Sequence, residues 1–468
     1  MRQKPPARPV CGAGRWCSPA RIWCCGPRAG CGSSRATPTC RPRFQREWTL
    51  VPCCADGRVN PRPGLKALLL AALLPALLLA GCGGGGSSRA PEGTPPVVLP
   101  AGANVLALTV DTGPTGNSVN RPYASVTLCE PGGARCQTLD RVLVDSGSTG
   151  LRVLASEVSG LALDVVRTPQ GQPLLNCTQF VDNTSVWGPV VTASVKLGQK
   201  SVDPLAVQLI GSADYAGLNG ACGSGVSMDT VAGLGAQGIL GVGLFQQDCG
   251  NLCASVTRNG SYFSCRTAAC TSTQPVTAPL AQQLANPVAL LGEDNNGLVF
   301  ELPAVGPDGA ATLTGRLLFG IGTQPNNAFD AGLTLPTSTT GRIQTEFNGQ
   351  MLTDSFIDSG SNALFFDAAT LTPCSGTGAI RFYCPPVTTP LSARLLRSDG
   401  ASALVTFSVG NADQQFAAPL KAALPGLAGS LGDASSFNWG LPFFYGRRVF
   451  IGIEGRSSPG GTGPYYAF

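Results

Sequence analysis

From Asn104 onward the chain is a succession of short apolar or alternating runs: YASVTL, RVLVD, LRVLA, VVTASVKL, LAVQLI, GLVFEL, ATLTGRLLFGIG, SALVTFSV and RVFIGIE. Alternation of apolar and polar residues, with Gly, Pro, Asn and Ser between the runs, is the signature of strands joined by turns. The pattern predicts a predominantly β protein. Two segments carry weak helical character: 274–289 (QPVTAPLAQQLANPVA), which proline interrupts, and 418–428.

A different pattern fills residues 67–80. ALLLAALLPALLLA is uncharged and follows Arg62 and Lys66. It is short for a membrane span and has the length of an export-signal core. It ends at Leu79-Ala80-Gly81-Cys82, followed by GGGGSSRAPEGTPP. This resembles the bacterial lipoprotein signal, in which the cysteine is lipidated and becomes the new N-terminus; an ordinary signal with an incidental cysteine is the other reading. The resemblance implies a protein held by lipid on Cys82 at the bacterial outer membrane, facing the periplasm or the surface. Residues 1–66 then form a basic Cys/Pro-rich extension and signal head, 67–82 the signal core and lipidation box, and 83–97 a Gly/Ser/Pro tether. A start near Val59 would leave a compact VNPRPGLK head, so the stretch upstream is expected to precede the true start.

Charge changes with position. Residues 1–66 carry 13 Lys/Arg against 2 Asp/Glu, and residues 67–468 carry 19 against 25. The basic character belongs to the front, and the remainder has no Arg/Lys groove pattern for nucleic acid. The chain has no histidine, which excludes Ser-His-Asp and Cys-His catalysis and the usual histidine-containing zinc sites. After Cys82 there are ten cysteines: 129, 136, 177, 222, 249, 253, 265, 270, 374 and 384. An even number in an exported chain suits five disulfides better than a metal cluster at 249–270, without fixing which pairs form.

One motif occurs twice. Val142-Leu143-Val144 precede Asp145-Ser146-Gly147-Ser148, with Leu151, Val153 and Leu154 after them. Phe356-Ile357 precede Asp358-Ser359-Gly360-Ser361, with Leu364, Phe365 and Phe366 after them. A carboxylate between two buried strands is costly unless donors satisfy it, and backbone N–H groups in a tight turn plus small hydroxyls supply them. Two such loops fit two similar lobes meeting with Asp145 opposite Asp358. Carboxylates that close share a proton and titrate as a pair. The ionised member can then deprotonate a water while the protonated one polarises a carbonyl, so peptide hydrolysis needs no histidine.

The chain resembles pepsin-type aspartic peptidases over roughly residues 100–460. VLVDSGSTGLRV and FIDSGSNALFF resemble the two catalytic motifs. Ile239-Leu240-Gly241 within GILGVGLF, and NWGLPFFYGRRVFIGIE, resemble the apolar-apolar-Gly elements that cross behind the catalytic loops. A divergent, uncharacterised bacterial lipoprotein family with this fold is the expected home. The resemblance implies an all-β bilobed fold with a central cleft between an N-terminal lobe at 98–290 and a C-terminal lobe at 291–468. Asp145 and Asp358 would be catalytic, with Ser146, Gly147, Ser148, Ser359, Gly360 and Ser361 supporting them. It implies a monomer that takes extended polypeptide and uses no cofactor or metal. The leading function is a lipid-anchored aspartic endopeptidase; the alternative is an inactive binding or structural envelope lipoprotein. Three departures stand out: Ser follows each Asp where Thr is frequent, polar Asn438 opens the second crossing element, and the flap tyrosine is missing. Phe180 and Trp187 are the aromatic candidates to cover the cleft. Val110-Asp111-Thr112-Gly113 also carries an Asp-Thr-Gly triplet, but PTGN follows it, and it is expected to be a turn.

Overall fold

The computed structural model describes residues 102–468 apart from 268, 376–380 and 418. Cys82, the apolar segment and the tether lie outside the described residues. Among the described residues, no helix is long and apolar enough to cross a membrane.

The alternating runs become strands. YASVTL lies in Pro122–Cys129, RVLVD ends Cys136–Asp145, LRVL ends Thr149–Leu154, and VVTASVKL is most of Thr184–Leu197. α-Helix among the described residues is confined to the short turns Val231–Leu234, Asn251–Ser255 and Ala412–Gln415, and the longest helical stretch is the 3-10 segment Ala213–Cys222. The helix expected over 274–289 is not there. A strand at Thr273–Pro275 and 3-10 turns at Leu280–Gln282 and Pro287–Leu290 replace it, because Pro275, Pro279 and Pro287 each lack the N–H a helix would use. The described part of 418–428 runs as loop into the strand Ala428–Ser430. The nearby helical turn is upstream, capped by the Asn411 side chain accepting from Gln414 N–H. Asp111 sits in a turn, its Oδ1 accepting from Gly113 N–H at 2.9 Å.

A 17-stranded sheet and an 8-stranded sheet give the molecule a bilobed β architecture. The larger sheet does not end with the first half of the chain. Val105–Val110 pairs antiparallel with Leu313–Phe319, and Gly297–Leu302 pairs with Arg447–Gly452. Strands between Ile343 and Trp439 make the smaller sheet. Among the described residues, five disulfides close local loops or staple neighbours: Cys129–Cys136, Cys177–Cys222, Cys249–Cys253, Cys265–Cys270 and Cys374–Cys384.

One crossing pattern occurs in both halves. Gly238–Val242 lies parallel to Cys136–Asp145 and antiparallel to Thr149–Leu154, so it bridges both arms of the first Asp-Ser-Gly-Ser loop. Asn438–Trp439 does the same for the second loop, parallel to Gln350–Ile357 and antiparallel to Leu364–Phe365. The cores beneath differ. Val142, Val144, Leu151, Val153 and Leu240 pack under the first loop. Under the second lies a set of rings, with Phe437 stacked on Trp439 at 4.0 Å and on Phe366 at 4.6 Å.

Asn120 helps hold the halves together. It is fully buried, and its Nδ2 donates to the carbonyls of Asn362 and Leu424, each at 2.8 Å. Its Oδ1 accepts from Leu424 N–H and from the Tyr445 hydroxyl, each at 2.7 Å.

Candidate functional site

The two Asp-Ser-Gly-Ser loops meet. Ser146 N–H donates to Ser359 Oγ at 3.0 Å, and Ser359 N–H donates to Ser146 Oγ at 2.8 Å. Each hydroxyl then donates across to the strand leading into the other loop: Ser359 Oγ to Val144 O at 2.8 Å, Ser146 Oγ to Ile357 O at 3.4 Å. All of these groups are buried.

Within each loop the aspartate is satisfied in the same way. Gly147 N–H donates to Asp145 Oδ1 at 2.8 Å and Ser148 Oγ donates to Asp145 Oδ2. Gly360 N–H donates to Asp358 Oδ1 at 2.8 Å and Ser361 Oγ donates to Asp358 Oδ2 at 2.6 Å. The glycines are required by approach. A Cβ on Gly147 would lie 2.7 Å from Cγ of Asp358, and one on Gly360 would lie 2.5 Å from Oδ1 of Asp145 and 3.2 Å from Oδ1 of Asp358. Those two oxygens are therefore separated by no more than the sum of the last two distances. Both carboxyls are buried, at 6% and 8% exposure.

Burial first, and the Asp145 carboxyl second, push Asp358 up to about 8, against the lowering effect of the Ser361 hydroxyl and the Gly360 N–H. A hydrogen bond between the two carboxyls adds to the rise. The raised value describes the pair sharing one proton rather than a single side chain. Burial and the nearby Asp358 also push the Tyr466 hydroxyl up.

The pair opens into a cleft of about 660 Å³. A hairpin covers one side: Leu174–Gln179 pairs with Thr184–Leu197. Phe180, Val181 and Asp182 at its turn line the cleft. Phe180 N–H donates to Thr184 O at 2.9 Å, closing the turn. The Cys177–Cys222 disulfide and the Gln179 side chain, donating to Cys222 O at 2.9 Å, anchor the hairpin. Trp187 is placed elsewhere. It packs edge-on against Phe263 at 5.5 Å, and its indole N–H donates to Tyr215 O at 3.0 Å. That packing holds its ring in a buried cluster, and it does not line the cleft.

Residues that the motifs alone did not single out complete the wall. Arg152 is 2% exposed and ion-pairs with Asp248 at 3.5 Å. Its other donors go to Thr149 O at 2.7 Å and to Thr178 Oγ1 in the hairpin at 3.1 Å. Burial pushes the Asp248 carboxyl up, opposed by Arg152, by the Tyr262 hydroxyl at 2.8 Å and by Asn176 at 3.1 Å. The only sequence signal for Arg152 was a charge inside the apolar run LRVLA. From the second half come Arg342, stacked over the Phe356 ring at 4.6 Å, and Tyr466.

Cys374, Cys384 and Asp413 also come together. Both sulfurs are joined in a disulfide, so they do not offer the thiolates a metal site needs.

Fold and site together define a bilobed β protein whose cleft is floored by two buried carboxyl groups held in hydrogen-bonded loops. Residues 100–468 match the family model described as Protein of unknown function (DUF3443), and the chain belongs to that family. No curated protein matches the chain.

Proposed function

We propose that the cleft takes polypeptide in an extended conformation and hydrolyses it, the protein being a pepsin-like aspartic endopeptidase with Asp145 and Asp358 as its acid pair. The observation that carries this reading is the reciprocal hydrogen bonding of Ser146 and Ser359, which sets two buried carboxyls beside one another at the bottom of a cleft. One member of the pair removes a proton from water and the other polarises the scissile carbonyl. Gly147 and Gly360 N–H groups hold the Oδ1 atoms of the pair, and Ser148 and Ser361 hydroxyls hold the Oδ2 atoms. The raised value of Asp358 keeps a proton available at the pair at neutral pH, which is the acid this chemistry uses. Backbone pairing along the cleft edges supplies affinity. In this reading the lobes at 98–290 and 291–468 flank the cleft and share the large sheet. Lipid on Cys82 places the enzyme at the bacterial outer membrane.

The second reading is a bilobed binding or structural envelope lipoprotein that holds a polypeptide without cutting it. It asks less, needing the cleft but no chemistry. The hairpin tip favours it: Phe180 and Val181 stand over the cleft and neither has a hydroxyl to orient a substrate.

Single Asp145→Asn and Asp358→Asn variants decide between the two. Cleavage of an unstructured protein between about pH 3 and pH 8, lost in both variants, supports the peptidase. Polypeptide binding without cleavage in the wild type overturns it in favour of the second reading. Cys82→Ala is expected to move the protein from the membrane fraction to the soluble fraction.

A further inference from the structure

A closed ring of hydrogen bonds joins the first aspartate loop to the hairpin over the cleft. Asn176 and Thr178 stand two residues apart on the strand Leu174–Gln179, so their side chains share one face of it. Arg152 Nε donates to Thr178 Oγ1 at 3.1 Å, and that hydroxyl donates on to Asn176 Oδ1 at 3.2 Å. Asn176 Nδ2 donates to Asp248 Oδ2 at 3.1 Å, and the same oxygen faces Arg152 Nη2 at 3.5 Å. Asn176 and Arg152 are both buried.

Arg152 also ties this ring to the acid pair. It lies on Thr149–Leu154, the strand leaving the first loop, and its Nη1 donates back to Thr149 O at 2.7 Å. Thr149 follows Ser148, whose hydroxyl holds Asp145 Oδ2. On the hairpin side, Thr178 is two residues from Phe180, which lines the cleft at the turn. One guanidinium therefore bridges the loop that carries Asp145 and the strand that carries the hairpin tip.

Stability alone does not call for a charge in this place. Taking two ions out of water is costly, and well-packed apolar residues in place of a buried ion pair are often neutral or stabilising. The second half shows the apolar solution. Phe365, at the matched position, packs against the Phe382 ring at 6.3 Å and beside Ala363 and Leu424. What a guanidinium supplies and a phenyl ring does not is a rigid fork of donors, here aimed at two segments at once.

We propose that Arg152 is a positioning residue for hydrolysis: by holding Thr149 and Thr178 on one fork, it sets the height of the hairpin above the acid pair. The hairpin is then carried by the first aspartate loop and does not swing as a free lid. The inference rests on the cleft being a peptidase site. A polypeptide gripped beneath Phe180 is held in register with Asp145, and slack in the Arg152 link misplaces it, which costs rate without touching the reacting groups.

Three variants of the full-length protein test the link. Arg152→Lys keeps a cation beside Asp248 and loses the fork, Thr178→Val removes the acceptor at nearly constant volume, and Thr178→Ser retains it. On a peptide that the protein cleaves, Arg152→Lys and Thr178→Val are each expected to lower kcat/KM by about tenfold. Their combination is expected to fall no further than the lower of the two, since both remove one bond. Thr178→Ser is expected to stay within about twofold of the wild type. Effects that multiply in the double variant, or a kcat/KM that neither single variant moves, overturn the proposal. Hydrogen exchange without peptide gives a second measure. In Arg152→Lys and Thr178→Val the turn amides of Phe180 and Asn183 are expected to exchange about tenfold faster, while those of Gly238–Val242 behind the loop keep wild-type rates. Faster exchange in both places, or in neither, overturns the link, and Thr178→Val decides if Arg152→Lys does not fold. Should the wild type cleave no peptide, the peptidase reading fails, and the exchange pattern still judges whether Arg152 holds the hairpin.

Discussion

The two aspartate loops share a backbone plan and differ in what surrounds it. Seven residues after each aspartate comes Arg152 in one half and Phe365 in the other. At the matched position of the crossing strand stand Ile239 and Asn438. Each half therefore has one polar and one apolar residue at these two places, in opposite arrangement. The first half sets a buried ion pair at the cleft and an apolar side chain behind its loop. The second sets an aromatic ring at the cleft and an amide behind its loop. Close approach forces glycine at 147 and 360 and small hydroxyls at 146 and 359, so those positions match. The flanking positions escape that constraint and are where the halves have diverged.

The largest effect falls on the shared plan. Asp145→Asn and Asp358→Asn are each expected to lower hydrolysis by about a thousandfold or more, measured as kcat on a peptide substrate. Their stabilities should separate them. Asp358 holds its proton more tightly folded than unfolded, so the stability it contributes is full below the ordinary carboxylate range and is lost as pH rises through about 8. Asp358→Asn removes that loss. Its melting temperature is expected to exceed the wild type's at neutral and alkaline pH, with the gap closing on acidification. A wild type whose stability does not fall relative to this variant as pH rises would contradict the shared, buried proton.

Next comes the exchange at the cleft wall. Arg152→Leu leaves the Asp248 carboxyl buried without its cation, for which about 3–5 kcal/mol of lost stability is expected. Phe365→Leu removes only part of a ring and is expected to cost about 1–2 kcal/mol. Urea unfolding of the two variants ranks them, and adding Asp248→Asn to Arg152→Leu should restore part of the first loss. Equal effects would mean that the ion pair carries no special role in the first half.

The smallest predicted difference lies between the paired serines. Ser359 Oγ donates across at 2.8 Å and Ser146 Oγ at 3.4 Å. Removing either hydroxyl leaves buried partners unsatisfied, about 1–3 kcal/mol each, with Ser359→Ala the more damaging. The same unfolding measurement gives the order.

Much of this was legible in the sequence where the signal was local. A strand, Asp-Ser-Gly-Ser and another strand lie within a dozen or so residues, so the need for small groups around a buried carboxylate can be read directly from the letters. Asn438 also stood out, as a polar residue opening an apolar crossing element. What it touches was not legible, because Ser361 is far away in the chain and the pairing of the crossing strand with both arms of the loop brings the two together. Arg152 showed as a charge in an apolar strand, but its partner Asp248 arrives from a distant loop. Tyr466 gave no signal at all, since its place at the cleft depends on the final strand pairing with Arg447–Gly452. Trp187 shows the opposite failure. Its type and its nearness to the hairpin suggested a lid, whereas Phe263 and Tyr215 claim its ring. Prolines likewise decided against the helix at 274–289, where the sequence carried only weak helical character.

The reciprocal serine bonds have a mechanical consequence. Neither loop carries its own complete support: the N–H of one turn is satisfied only by the hydroxyl of the other. A modest parting of the halves would break that reciprocity at once and leave the folded sheets largely untouched. The acid pair would then serve as a gauge of docking, and a perturbant too mild to unfold the β layers should silence it before any change in circular dichroism appears.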